Sequence, residues 1–326
     1  MKHFRKILVL TAALSVLSAV SLQAQAPGVK IVEDRNEESY DRLIAKAKEL
    51  RTAGKLLTYE TVKEQLRRKS CELDLPKTAT QKLTDRELWQ RTQKAHVRVG
   101  YLYLCKSCDD WHVNVAGGYY ITADGAVATC YHVLRPPDSS IREAYLFVTT
   151  EDGKVYPVTE VLAASAHGDV AVVRVKPEGA VTALALNSKV YPGDGAWCYS
   201  DPAGRSSYFS KGMVNRFFEL PRPTGTTAPR IDVSTDWAPG SSGSAVVDEC
   251  GNAIGHVSEI ESSGRPQGRA MGTGTSPSRP QASATFIIFH YAARAADVLS
   301  LVKPPGSSTE SPSEPHGGDP AGSSKS

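Results

Sequence analysis

The sequence predicts a mainly β protein, a barrel or sandwich of short strands, with an α-helical extension in front of it. Two observations carry that reading. Residues 27–95 space their apolar side chains as helices do, whereas from His96 onward short alternating runs are broken by Asp-Gly turns. Composition permits it: hydrophobic residues are 40% of the 326, enough for a sizeable core.

The chain opens on an export signal. Lys2, His3, Arg5 and Lys6 precede an apolar run from Ile7 to Val20, and Ala24-Gln25-Ala26 gives a small-x-small cleavage pattern. The run is short of the roughly 20 residues that a span needs. Residues 1–26 therefore read as a signal peptide that leaves no stable membrane anchor once removed, and the protein as periplasmic or secreted. An uncleaved anchor is the alternative. With 38 basic and 35 acidic residues, the net charge of +3 is too small to argue for a nucleic-acid partner.

In the helical extension, residues 27–95, Tyr40, Leu43, Ile44, Ala47 and Leu50 recur at helical spacing, with Gly54 as a stop. Val62 and Leu66 mark a shorter second helix. Thr84-Asp85-Arg86-Glu87 is a capping box, with Leu83 and Leu88 placed as its hydrophobic staple. The β domain spans residues 96–302. Its strands begin with "HVRVGYLYL", and hairpins follow around Asp124-Gly125 and Asp152-Gly153. "DVAVVRV", "GAWCYS", "SYFSKGMVN", "RIDVS", "SAVVD", "NAIGHVS" and "ATFIIFH" continue the series, and a helix from Ala292 to Val302 closes it. Residues 262–283, rich in Ser, Gly, Pro and Arg, read as a long mobile loop. Residues 303–326 read as a disordered tail, too polar to bury a core.

Six cysteines in an exported chain make disulfides the expectation. Cys105-Lys-Ser-Cys108 is one candidate bridge, and pairing of either cysteine with Cys71 or Cys130 is another. Half a zinc site, with Cys71 and His112 as conceivable further ligands, is its rival, as is a redox pair. No metal site is assigned, and no cofactor is expected.

The chemistry-bearing stretch is "STDWAPGSSGSAVVDECGNAIGHVS". Its glycines allow a sharp turn that aims the N–H groups of Gly240 and Ser242 at one point, beside the Ser242 hydroxyl. A serine needs a base, and His132 in "VATCYHVL" follows a strand. An imidazole must be held in one tautomer, which a buried carboxylate does. Asp169 in "HGDVAVVRV" precedes an apolar strand.

The order His132, Asp169, Ser242, each at a strand end, resembles the trypsin-like peptidases, most closely the HtrA/Deg branch. The supporting motifs are "GGYYITADGAVATCYHV", "GDVAVVRV", "PG-x-SG" and "PGDGAWCYSDPAG", and the resemblance covers residues 96–302. It implies a chymotrypsin-like double β-barrel with the triad between the barrels. It also implies His132 as general base and then acid, Asp169 as its orienter, Ser242 as nucleophile, and the N–H groups of Gly240 and Ser242 as the oxyanion hole. Two departures stand out. Ser241 occupies the place of the acid that digestive trypsins use on activation, and only 24 residues follow Val302, so no PDZ domain is expected.

For the substrate pocket the resemblance points to Asp236, Trp237, Ser258 and Ile260. Asp236 is either an acid selecting basic side chains or a structural residue. In the second case Trp237 and Ile260 narrow the cavity, and a small or medium apolar P1 residue fits. The resemblance also implies a Cys198–Cys250 disulfide, because their strands neighbour one another in that fold. Cys130 is a small buried hydrophobe or a redox-sensitive group beside the base. The expected activity is an exported serine endopeptidase, a hydrolase of polypeptides acting through an acyl-enzyme, with homo-oligomerisation left open. The alternative is a binding or chaperone-like protein on the same fold, its S1 pocket blocked.

Overall fold

Local signals place the first helices. α1 (Glu37–Thr52) buries Ala47 in a cluster with Leu56, Leu102 and Phe147, and the chain turns at Gly54, whose φ of +66° suits glycine. β1 (Leu57–Thr58) leads into α2 (Tyr59–Gln65), capped by the Thr58 hydroxyl, which accepts from Thr61 N. After β2 (Cys71–Glu72) comes α3 (Asp85–Ala95), where the Thr84–Glu87 capping box forms in both directions and Leu83 packs into the cluster holding Leu88. The computed structural model describes residues 31–32, 37–135, 140–222, 225–264 and 285–306. The expected signal peptide, most of the long loop and nearly all of the tail lie outside them.

Twelve of the strands that follow build two rings. β3 (His96–Cys105), β4 (Trp111–Tyr120), β5 (Ala126–Thr129), β6 (Ile141–Thr149), β7 (Val155–Ser165) and β8 (Val170–Val175) pair in the order β6-β3-β4-β5-β8-β7. β6 also pairs with β7, which closes the ring, and β1 adds to β6 at Leu57↔Leu146. β9 (Gly195–Ser200), β10 (Tyr208–Pro221), β11 (Thr227–Val233), β12 (Ala245–Val247), β13 (Ala253–Gly264) and β14 (Thr285–Arg294) form a closed barrel, β10-β11-β14-β13-β12-β9. α4 (Ala295–Leu299) and β15 (Val302–Lys303) end the described chain, β15 pairing in parallel with β2. The fold is mainly β, a chymotrypsin-like double barrel.

Strand alternation sorts the side chains. Along β8, Ala171, Val173 and Val175 fill the first barrel, while Val170 and Val172 point the other way into a cluster shared with Trp197, Ala245, Val247 and Ala253 of the second. The second barrel has its own core of Cys198, Val214, Ile231, Val233, Trp237, Val246 and Val257. The helical stretch is stitched to these barrels. Val62 and Leu66 enter the first core, Asp85 accepts from Trp197 Nε1 at 3.0 Å, and Leu83 N donates to Glu249 O at 2.9 Å.

The structure corrects two expectations. The closing helix is shorter than 292–302: Ala292 and Ala293 are buried partners in β14, opposite Val257 and His256, and Val302 belongs to β15. The candidate disulfides are also not formed, and all six cysteines carry free thiols. β9 and β12 are neighbours, but the register sets Cys198 opposite Val246. Cys198 faces the barrel core, whereas Cys250 sits four residues further on, in the turn after β12. A bridge needs Cα atoms within about 7 Å and converging Cβ vectors. Cys105 and Cys108 are adjacent at the β3–β4 turn but hydrogen-bonded instead of bridged. The Ser107 hydroxyl and neighbouring N–H groups pull the Cys105 thiol down to about 7.

Candidate active site

β5 delivers His132. After Thr129 the chain enters a short 3-10 turn, His132–Leu134, and the His132 side chain stays 41% exposed. Asp169 stands at the entry to β8 with φ +59°, a left-handed conformation that aspartate tolerates better than most residues. There it is buried and gathers donors. His132 N reaches Oδ1 at 3.0 Å, His132 Nδ1 reaches Oδ2 at 2.9 Å, and Ser258 Oγ donates to Oδ2 at 2.6 Å.

Burial alone would push the Asp169 carboxyl up. The hydrogen bonds and charge interaction from His132, with Ser258, outweigh it and hold the group at about 2. An ionised carboxylate only accepts, so the Nδ1 proton of His132 is fixed facing it. Nε2 of the neutral ring is then the basic nitrogen.

The turn before β12 supplies the serine. Gly240 has φ +102° and Gly243 φ +86°. A Cβ on Gly243 would run into the Gly117 carbonyl and the Thr129 hydroxyl, so the turn lies directly against β4 and the end of β5. Gly117 N donates to Ser242 O at 2.7 Å, and Thr129 Oγ1 donates to Gly117 O at 2.8 Å. Ser241 is fully buried, while Ser242 is half-buried and is the serine of the pair that reaches solvent. Among the described residues no hydrogen bond joins Ser242 Oγ to His132.

Backbone accounting isolates two donors. The N–H groups of Ser241, Gly243 and Ser244 bond Ala238 O, Val257 O and Ser241 O, whereas those of Gly240 and Ser242 meet no acceptor among the described residues. Two uncommitted N–H groups flanking a hydroxyl can receive a developing oxyanion. Behind the turn, Ala203 N donates to Pro239 O at 2.7 Å. That loop is held by Asp201, which accepts from Arg98 Nε at 2.5 Å and contacts His96 Nε2 at 3.3 Å. Burial of Asp201 opposes its ionisation, but these two partners draw the carboxyl well below the usual range.

The pocket residues divide. Ser258 turns its hydroxyl onto Asp169. Trp237 is buried, donates from Nε1 to Glu259 O at 3.3 Å and meets the His290 ring edge-on. Asp236 is exposed and uses its carbonyl to accept from Ser210 Oγ at 3.0 Å, and Ile260 is 44% exposed.

Sequence reasoning missed four residues of this region. His256 is buried with Nε2 donating to Asp169 O at 3.1 Å, and Arg98, His96 and Asp201 brace the serine turn. Their only sequence signal was the "SDPAG" loop. Cys130 donates from Sγ to Val257 O at 3.0 Å, and burial, with Asp169 nearby, raises its thiol far above the ordinary range.

A search of curated proteins finds no match. The family described as trypsin-like peptidase domain matches residues 116–255, a stretch holding His132, Asp169 and Ser242. Over these residues the chain is similar to the trypsin-like peptidase domain, a likeness that supports kinship with the chymotrypsin-fold serine peptidases.

Proposed function

We propose that the protein is an exported serine endopeptidase acting through His132, Asp169 and Ser242. The peptidase-domain match supports hydrolysis of polypeptides. One observation carries the serine mechanism: Asp169 fixes the His132 ring while Gly240 N and Ser242 N stand uncommitted beside the Ser242 hydroxyl. In the reaction His132 Nε2 takes the Ser242 proton as Oγ attacks the scissile carbonyl. The resulting oxyanion lies on the N–H groups of Gly240 and Ser242. His132 then protonates the leaving amine, an acyl-enzyme remains, and water activated by the same ring releases it.

Asp169 stays ionised throughout and stabilises the imidazolium, its low pKa opposing any proton transfer to it. With Asp236 exposed and Trp237 packed under the Glu259 carbonyl, the reading favours a small or medium apolar P1 residue. Export rests on the basic start and apolar run before Ala26.

A fluorophosphonate probe tests the mechanism. It is expected to label the wild-type protein and a Ser241→Ala variant, and to spare Ser242→Ala. A folded wild type that stays unlabelled sinks the proposal. Labelling without peptide cleavage favours a binding protein with a blocked pocket. N-terminal sequencing of protein recovered outside the cytoplasm tests export, which fails if the chain still begins at Met1.

A further inference from the structure

Outside the matched domain, at the tip of the β3–β4 hairpin, Cys105, Cys108 and His112 bring one ligand atom each within 4.8 Å of one another. Cys108 Sγ lies 3.0 Å from His112 Nε2, and Cys105 Sγ contacts the Ser107 hydroxyl at 3.0 Å. The spacing is C-x2-C-x3-H. Catalysis uses none of these residues, and the disulfide expected of the two cysteines is not formed. From this geometry we infer that the β3–β4 hairpin tip is a zinc site, with Cys105, Cys108 and His112 as three ligands and solvent as the fourth.

The first argument is distance. Zinc binds thiolate at about 2.3 Å and imidazole at about 2.0 Å, so neighbouring tetrahedral ligands stand about 3.5–3.8 Å apart. The three donors all lie within 4.8 Å of one another, and the Cys108–His112 pair, at 3.0 Å, has only to open slightly to seat an ion.

The second argument is the backbone around the sulfurs. N–H groups of Ser107 and Cys108 point at Cys105 Sγ, Ser107 N at 3.4 Å, and the N–H of Asp110 points at Cys108 Sγ. Such donors would offset part of the charge that two sulfurs carry once bound to a metal. For the chain to bend so that N–H groups follow each sulfur, the residue after Cys108 takes a left-handed conformation: Asp109 has φ +57°. Asp109 is anchored there by an ion pair with Arg142, and Cys105 N donates to Asp110 O at 3.1 Å to close the turn.

The third argument is the histidine. His112, the second residue of β4, stands directly opposite Tyr103, and the two rings lie 5.3 Å apart, so the hairpin itself places the ring. With Nε2 toward Cys108, the neutral ring in its Nδ1–H tautomer presents a lone pair to the sulfurs. Cys108 is exposed, which leaves the fourth position open to water. A two-thiolate, one-imidazole set suits zinc better than magnesium or calcium, which prefer oxygen. On binding, two S–H bonds give way to two Zn–S bonds and two protons leave to solvent. The ion would tie β3 to β4, the strand whose Gly117 N holds the Ser242 carbonyl.

Cobalt(II) is the probe, added to full-length protein reduced with a phosphine under argon. One equivalent is expected to produce thiolate-to-cobalt charge-transfer and tetrahedral ligand-field absorption, and zinc is expected to bleach both. Cys105→Ser and Cys108→Ser should lose the charge-transfer bands, and His112→Ala should weaken zinc by roughly 10- to 100-fold or more. Cys250→Ser should bind as wild type, and circular dichroism checks that each variant is folded. The thermal midpoint should rise with zinc in the wild type and not in Cys108→Ser. Absence of charge-transfer bands with all six thiols titrating free overturns the site. So does a thiol count two short that is restored by reduction, which would identify a Cys105–Cys108 disulfide, or binding unchanged in both cysteine variants.

Discussion

Ser258 Oγ donates to Asp169 Oδ2 at 2.6 Å, shorter than any contact that His132 makes with that carboxylate. The residue before it, Val257, offers a carbonyl that accepts both Gly243 N at 2.7 Å and Cys130 Sγ at 3.0 Å. Two consecutive residues of β13 thus touch the serine turn, the histidine segment and the aspartate together. Ser258→Ala leaves the Asp169–His132 pair but removes one donor from a buried charge. It is expected to lower kcat by about 10-fold with KM nearly unchanged, as loss of a charge-assisted hydrogen bond would. A KM effect with intact kcat would mean that Ser258 acts on substrate instead.

Asp169→Asn tests the tautomer. An amide presents a donor as readily as an acceptor, so the Nδ1 proton is no longer fixed and Nε2 is protonated in part of the population. The expected loss in kcat is roughly 10⁴-fold at neutral pH, far larger than for Ser258→Ala. Steady-state kinetics on one peptide substrate compare the two.

Two glycines of the serine turn should separate strain from catalysis. A Cβ on Gly240 would stand 2.9 Å from the Asp201 carbonyl, the milder of the two clashes, whereas on Gly243 it would come within 2.2 Å of the Gly117 carbonyl and 2.4 Å of the Thr129 hydroxyl. Both need positive φ. Gly240→Ala is expected to fold with kcat down by roughly 10²–10³-fold, through a misplaced N–H donor. Gly243→Ala is expected to lower the thermal midpoint sharply as well, because β4 must move away. Equal midpoints for the two variants would refute the packing argument.

Which of these features the sequence displays depends on their range. Local signals are legible: the Thr84–Glu87 box, the Asp-Gly hairpins, and the alternation that sends Val173 inward and Val172 toward the second barrel. Glycines flanking a serine are legible too, because a positive φ leaves a compositional mark. Contacts that join distant segments leave none. Nothing near His256 announces that its ring meets Asp169 O across 87 positions, or that Arg98 and Asp201 pair across 103. The disulfide expectation failed for a related reason. Neighbouring strands can be inferred from a resemblance, but register cannot, and register put Val246 where Cys250 was expected.

The thiols rank by burial. Cys130 and Cys198 are fully buried, and burial raises both, Cys198 to about 12. In zinc-free native protein, iodoacetamide is expected to modify Cys105 and Cys108 first and to reach Cys130 and Cys198 only after unfolding, as peptide mass mapping would read. The hydrogen bond from Cys130 to Val257 makes it a packing residue, so Cys130→Ala should retain most activity. Rapid native labelling of Cys130 with loss of activity would restore the redox-sensitive reading.

His256 should make folding stability depend on pH in a defined window. It is fully buried, and burial lowers its pKa to about 4, against weaker raising effects of Asp169. The charges of Arg230 and His132 also disfavour its protonation. The unfolded chain binds a proton at this residue below about 6.5, the folded protein only below about 4, so between these values the unfolded state holds more protons. Stability therefore rises with pH through the window, and its loss on acidification from 7 to 4 amounts to roughly 3 kcal/mol for one such group. His290, lowered mainly by its burial, adds a contribution of the same sign. The depressed carboxylates, Asp169 among them, act below this range, because their stabilisation is lost only as pH falls below the normal carboxylate value. His256→Gln keeps a donor for Asp169 O but cannot titrate. Urea midpoints at pH 5 and pH 7 should differ markedly in the wild type and much less in the variant. If both proteins lose the same stability, His256 is protonated in the fold and its neutral, donating role toward Asp169 is wrong.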